Sequence, residues 1–263
     1  MSMSRTLHIR SILLAVVLVA GVPAPAAWCE PVTLTVSAAA NLARVMPEIA
    51  KAFTKKTGIR VQFNFASTRK LATQIEQGAP VDLLAAADRE SVDRLVKQGL
   101  VVPGTVKTYA YGRLVLCVPP DSKTPLKRVA QLGSPAVKQI AIANPEAAPY
   151  GRAAREAMQK AGIWNRVGAK IVPTDTVQHA LQLVETGTVD AAFVARSLLD
   201  KSKVRWVLVP ADQHQPIEQA MCVVKGTKRE AAARKFAAFI LGQEGRAILT
   251  RFNYEVPAAP KKR

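Results

Sequence analysis

After the first thirty residues, short runs of β-branched and other apolar residues alternate with longer stretches whose apolar positions recur every three or four residues. The first pattern predicts strands and the second amphipathic helices, so their regular succession predicts an α/β protein. A strand at 32–36 runs through Ser37-Ala38-Ala39-Ala40-Asn41 into a helix with Leu42, Val45, Met46, Ile49 and Phe53 on one face, ended by Gly58. A strand at 60–65 leads through Ala66-Ser67-Thr68 into a helix carrying Leu71 and Ile75 and closing at Gly78. The buried run 81–87 follows Pro80, and Asp88 leads the next helix, which holds Val92, Leu95 and Val96.

Beyond 109–112, the apolar strand 114–118 meets Pro119-Pro120, a stiff extended break that suits passage from one lobe to another, and the first crossing is placed there. Strands at 139–143, 170–172 and 191–195 then alternate with helices at 151–161 and 176–185. Strands at 206–209 and 220–224 flank a polar stretch with Pro210 and Pro216, where the return crossing is expected. Helices at 229–241 and 244–252 close the first lobe, and the tail after Val256 is expected to be disordered.

The expected architecture is therefore two α/β lobes, each a mixed sheet flanked by helices, joined by hinge crossings around a cleft. Lobe 1 takes 30–111 plus 215–258, lobe 2 takes 112–214, and 259–263 is a basic tail. Open α/β sheets place ligands beyond their strand ends, which makes the cleft the candidate site.

Residues 1–29 read as a secretory signal: Arg5 and Arg10 precede an apolar run from Ile12 to Val22, followed by small residues. That run is too short for a membrane span. Cleavage is expected before Glu30, with cleavage after Ala26 as runner-up, and Trp28 directly before Cys29 does not suit lipid attachment. Export removes two of the charges behind the chain's formal net charge of +18, leaving it strongly basic. The basic residues are spread along the chain except at Lys261-Lys262-Arg263, so the charge is read as steering and surface chemistry and not as a nucleic-acid footprint.

Two cysteines then remain, Cys117 and Cys222, both in apolar strand-like runs. In an oxidising compartment a disulfide and a pair of buried thiols are both open. The remaining histidines, His179 and His214, lie near no Cys or carboxylate cluster, so no metal-ligand spacing exists.

Chemistry concentrates at four strand-to-helix junctions: Ala40-Asn41, Ser67-Thr68, Tyr150-Gly151, and 174–177 (Thr-Asp-Thr-Val). A helix start leaves N–H groups without intrahelical partners and carries partial positive charge, so it can bind an anion without a charged side chain. Asn, Ser and Thr add side-chain donors. A pocket made only of donors accepts a fully deprotonated oxyanion and penalises a ligand that must itself donate. Neutral donors also avoid burying an unpaired cation.

At these junctions the sequence resembles the molybdate-binding periplasmic protein family of ABC transporters, which has a two-lobed periplasmic-binding-protein-like fold. The resemblance covers nearly all of 32–257 and rests on Ser37-Ala38-Ala39-Ala40-Asn41-Leu42, Phe65-Ala66-Ser67-Thr68 with Leu71-Ala72, Gly78-Ala79-Pro80-Val81-Asp82-Leu83, Asn144-Pro145 with Ala148-Pro149-Tyr150-Gly151, and Val177 ahead of Ala180-Leu181. It implies a periplasmic, monomeric protein that captures molybdate or tungstate by hydrogen bonds alone and delivers it to a permease. No cofactor is implied, and the only metal is the molybdenum of the oxyanion.

Carried over by residue, the donors are Asn41, Thr68, and the backbone N–H groups of Tyr150 and Val177, with an amide added by Ala40. Some members have Ser at the positions of Asn41 and Thr68, and some use a Tyr hydroxyl where this chain has Ala195. Arg69 and Arg152 stand beside two junctions, as solvated steering charges or as ligand contacts. Asp82 and Asp88 are given ordinary turn and cap roles.

An enzyme would need a nucleophile with a base, paired carboxylates or a phosphate loop, and none is present. Ser197 lacks a nucleophile-elbow context. The rivals are a binding protein for another oxyanion, such as sulfate or phosphate, and a non-transport sensor of the same fold.

Overall fold

The computed structural model describes residues 32–124, 126–201 and 203–258. The expected signal segment with Cys29, and the basic tail 259–263, lie outside the described residues. The strands are β1 (Thr33–Ala39), β2 (Arg60–Ala66), β3 (Leu83–Ala85), β4 (Lys107–Gly112), β5 (Leu114–Val118), β6 (Ile140–Ala143), β7 (Ile171–Thr174), β8 (Ala191–Ala195), β9 (Arg205–Leu208) and β10 (Ile217–Val223). The helices are α1 (Val45–Thr57), α2 (Thr68–Glu76), α3 (Glu90–Lys97), α4 (Pro149–Lys160), α5 (Trp164–Val167), α6 (Val177–Glu185), α7 (Glu230–Leu241) and α8 (Gln243–Arg251).

Two mixed five-stranded sheets result, ordered β2-β1-β3-β10-β4 and β7-β6-β8-β5-β9. In the first, β1 runs parallel to β2 and β3, while β10 runs antiparallel to β3 and β4. Alternation along its strands decides what each face packs against. Leu34, Val36, Leu83, Ala85, Met221 and Val223 share a core with Met46, Ile49 and Phe53 of α1 and Phe236 and Ile240 of α7. Leu84, Ala86, Ala220 and Cys222 point the other way, onto Leu71 and Ile75 of α2 and Val92 and Leu95 of α3. Phe53 anchors the first of these layers, its ring 5.0 Å from Phe236 and 5.5 Å from Phe239. Truncating a buried aromatic of this kind typically costs about 3–5 kcal/mol.

The second sheet is buried on both faces at its centre: every residue of β5, β6 and β8 is buried. That explains why these strands read as unbroken apolar runs without alternation. The two-lobed α/β expectation is borne out.

Two local expectations need correction, and one left open is decided. Gly112 still pairs with Ile217 in the first sheet, whereas Leu114 already pairs with Ala195 in the second, so the chain crosses at Arg113, before Pro119-Pro120. The two prolines instead follow β5 as it leaves the second sheet. Strand β4 was not foreseen, because Lys107-Thr108-Tyr109-Ala110-Tyr111-Gly112 contains no apolar run and takes its place by pairing with β10. Of the two alternatives for the cysteines, the structure holds free thiols: Cys117 lies in β5 and Cys222 in β10, in different sheets, and both are buried. Burial raises both thiol pKa values, that of Cys222 to about 12.

Candidate functional site

The four junctions converge. Ala39, Ala40 and Asn41, Ser67 and Thr68, Ala148, Pro149 and Tyr150, and Thr176 and Val177 line one small cavity with Ala87. It is far smaller than the pockets that hold drug-sized ligands, so the space suits a small ion. No charged side chain is in its wall. The residues named in advance, Ala40, Asn41, Thr68, Tyr150 and Val177, are each at most 5 % exposed.

Each junction leaves donors for a local reason. Ser67 is extended (ψ 146°) as the N-cap of α2, which puts Thr68 at the first helical position with no intrahelical acceptor for its N–H. The Thr68 hydroxyl accepts from the Ala87 N–H at 3.1 Å, leaving its own hydrogen for another acceptor. At α4, Pro149 occupies the first position, where a missing N–H costs nothing, and the Tyr150 N–H follows. Gly151 permits this approach: a Cβ there would stand 1.9 Å from the Ala143 carbonyl oxygen. At α6, Thr176 caps the helix by accepting from the His179 N–H at 3.1 Å, so the Val177 N–H is in the unpaired first turn. The 3-10 turn Ala40–Leu42 likewise begins with N–H groups that have no acceptor within the turn.

Asn41 departs from expectation. Both hydrogens of its side-chain amide are spent, on Gln219 Oε1 at 2.9 Å and Tyr254 Oη at 2.7 Å. Its side chain faces a buried polar cluster behind the cavity wall and offers no free N–H, and its bonds hold the turn in place. The cluster also holds Tyr109, whose hydroxyl donates to the Ala86 carbonyl at 2.9 Å, and Ser197, whose hydroxyl donates to the Asn41 carbonyl at 3.1 Å. Burial raises the pKa of Tyr109, Tyr150 and Tyr254, so all three are neutral phenols at physiological pH. Ala195, where some relatives carry a hydroxyl, is buried at the end of β8 and is not in the cavity wall.

Neither arginine is in the cavity wall. Arg152 reaches from α4 to the first lobe, with Nη1 2.7 Å from Glu90 Oε2 and Nη2 3.4 Å from Asp88 Oδ2. It forms an interlobe ion pair and is not a free charge. The exposed Arg69 lines the outer groove, and its backbone N–H donates to the Ala147 carbonyl at 3.2 Å, another interlobe bond. Arg44 Nη1 also reaches the Leu198 carbonyl at 3.0 Å, so the lobes are held closed around the cavity at several points. Asp88 caps α3 through the Ser91 N–H at 2.8 Å, and Asp82 accepts from the Thr35 N–H at 2.7 Å, the ordinary roles expected of them.

Sequence reasoning missed Gln219, Tyr254 and Ser197, which sit far along the chain from Asn41. Ser67 was visible as a junction residue, although only Thr68 was taken as a donor.

Residues 34–255 match the family model of the bacterial extracellular solute-binding proteins. The chain belongs to that family. This solute-binding protein is 34 % identical over 241 residues to the molybdate-binding protein ModA of Rhodobacter capsulatus, covering 91 % of this chain and 94 % of the relative. It is 33 % identical over 234 residues to the Escherichia coli protein of the same name, covering 85 % and 89 %. Its fold superposes on the periplasmic molybdate-binding protein of Azotobacter vinelandii with a TM-score of 0.81 at 30 % identity, over 85 % of this chain and 99 % of that one. The resemblance drawn from the junctions is borne out, and these relatives are binding proteins, not enzymes. A sulfate-binding protein from Mycobacterium tuberculosis shares the fold at a TM-score of 0.76 and 17 % identity, so the fold alone does not select the anion.

Proposed function

We propose that this protein captures molybdate or tungstate in the periplasm and hands it to the permease of an ABC transporter. One observation carries the reading: four helix starts, two from each lobe, meet in one small cavity walled only by neutral groups. The backbone N–H groups of Tyr150 and Val177 approach the anion from one lobe, those of the Ala40-Asn41 turn and the Thr68 hydroxyl from the other. A doubly deprotonated tetrahedral anion accepts from all of them and needs no acceptor in return. A ligand bridging both lobes stabilises the closed form, whose surface the permease recognises. Residues 1–29 direct export and are removed, and the mature chain acts as a monomer.

Calorimetry of the mature chain with molybdate, tungstate, sulfate and phosphate tests this. Molybdate and tungstate are expected to bind more tightly than the other two; tighter sulfate binding would overturn the assignment.

A further inference from the structure

Tyr150 links the cavity to the point where the lobes are joined. Its backbone lies in the first turn of α4, in the cavity wall, while its ring extends to Gly112, the last residue of β4 and one step before the chain crosses at Arg113. A Cβ on Gly112 would stand 2.1 Å from Tyr150 Oη, 2.9 Å from Tyr150 Cζ and 2.9 Å from Gln219 Nε2. Gly112 is not among the glycines with positive φ, so the backbone there would accept alanine, and the obstacle is the Tyr150 ring, with Gln219 beside it.

The ring therefore occupies the space that a side chain at 112 would need. Its hydroxyl is buried beside the side chains of Gln219 and Asn41. With Tyr150 only 2 % exposed, close packing against these neighbours holds the ring in this position. Gly112 pairs with Ile217, where the returning crossing enters β10, and Gln219 sits beside the register shift two residues further on. The hydroxyl end of the ring thus lies beside Gly112 of β4 and Gln219 of β10, the two strands whose ends lead into the crossings. Gln219 Oε1 in turn accepts from Asn41 Nδ2, so a displaced ring would disturb the first lobe's turn as well.

We infer that Tyr150 is a positioning residue whose ring, wedged against Gly112 and Gln219, sets how far the lobes close and so aligns the donors of one lobe with those of the other. The inference rests on the oxyanion reading of the cavity. Bulk added between the ring and these strands holds the lobes apart, and apparent affinity falls with the fraction of molecules able to close.

The test uses Gly112→Ala and the double variant Gly112→Ala with Tyr150→Phe. Molybdate titration supplies affinity, and small-angle scattering with and without molybdate supplies compaction. Gly112→Ala is expected to weaken binding by about tenfold or more and to reduce ligand-induced compaction. Removing the atom nearest the new methyl, Tyr150→Phe in that background is expected to recover most of both. Wild-type behaviour of Gly112→Ala, or no recovery in the double variant, overturns the inference. Should Gly112→Ala not fold, Tyr150→Ala is compared with Tyr150→Phe: the wedge requires the ring-keeping variant to retain several-fold more affinity and compaction, and equal losses overturn it. A wild-type chain that binds none of the four anions overturns the oxyanion reading itself, before any variant is made.

Discussion

Asn41 and Tyr254 hold each other twice. The side-chain amide of Asn41 donates to Tyr254 Oη at 2.7 Å, and the same hydroxyl donates to the Asn41 carbonyl at 2.9 Å. The second bond, with the one from Ser197, saturates the carbonyl of the turn that opens the cavity. Tyr254→Phe would strip a partner from two buried groups at once. The expected loss is about 1–3 kcal/mol of stability, read from the urea midpoint, together with weaker molybdate binding. An unchanged midpoint and affinity would show that the pair is dispensable.

Thr68 carries two duties, and substitutions separate them. Thr68→Val keeps the shape but removes the acceptor for the Ala87 N–H and the donor left for the ligand. Affinity is expected to drop by roughly 1–3 kcal/mol. Thr68→Ser keeps both functions and should lose far less. Equal titration curves for the two variants would place the ligand elsewhere.

Arg152 closes the outer groove by pairing with Glu90 and Asp88 across the lobes. Its side chain is 36 % exposed, so solvent screens the pairs and their contribution is about 0–1 kcal/mol. Arg152→Met is therefore expected to weaken anion binding only a few-fold at low ionic strength, with the difference vanishing at about 1 M salt, where the screening length is about 3 Å. A loss that persists at high salt would mean that the arginine contacts the ligand.

The buried thiols give the fold an alkaline limit. Burial raises the pKa of Cys222 from its ordinary 9.0 to about 12, and that of Cys117 also rises. Between those values the unfolded chain releases thiol protons that the folded chain retains, so the unfolded state binds fewer protons and stability falls as pH rises. The urea midpoint should be steady below pH 9 and decline above it, with the buried tyrosines adding to the decline above their ordinary value of 10.0. Cys117→Ala with Cys222→Ala should flatten the onset near pH 9. In the native mature chain both thiols should also resist alkylation until urea is added; rapid modification at neutral pH would contradict their burial.

The sequence by itself determined the alternation of strands and helices, the two-lobed class and the four donor-rich junctions. These are local properties: apolar spacing selects the element, and a helix start leaves its N–H groups unpaired whatever surrounds it. Pro149 and Thr176 could be read as parts of helix starts because their effects reach only a residue or two. Tertiary structure alone decided what depends on distant partners. Asn41 looked like a ligand donor until β10 brought Gln219 and the C-terminal segment brought Tyr254 to its amide. Arg152 found carboxylates on the other lobe, and Cys117 and Cys222 went to separate sheets. The space beside Gly112 is filled by the Tyr150 ring from another part of the chain. A side-chain amide, guanidinium or thiol can meet many partners, and which one it meets is set by sheet pairing and lobe closure among residues far apart in the chain.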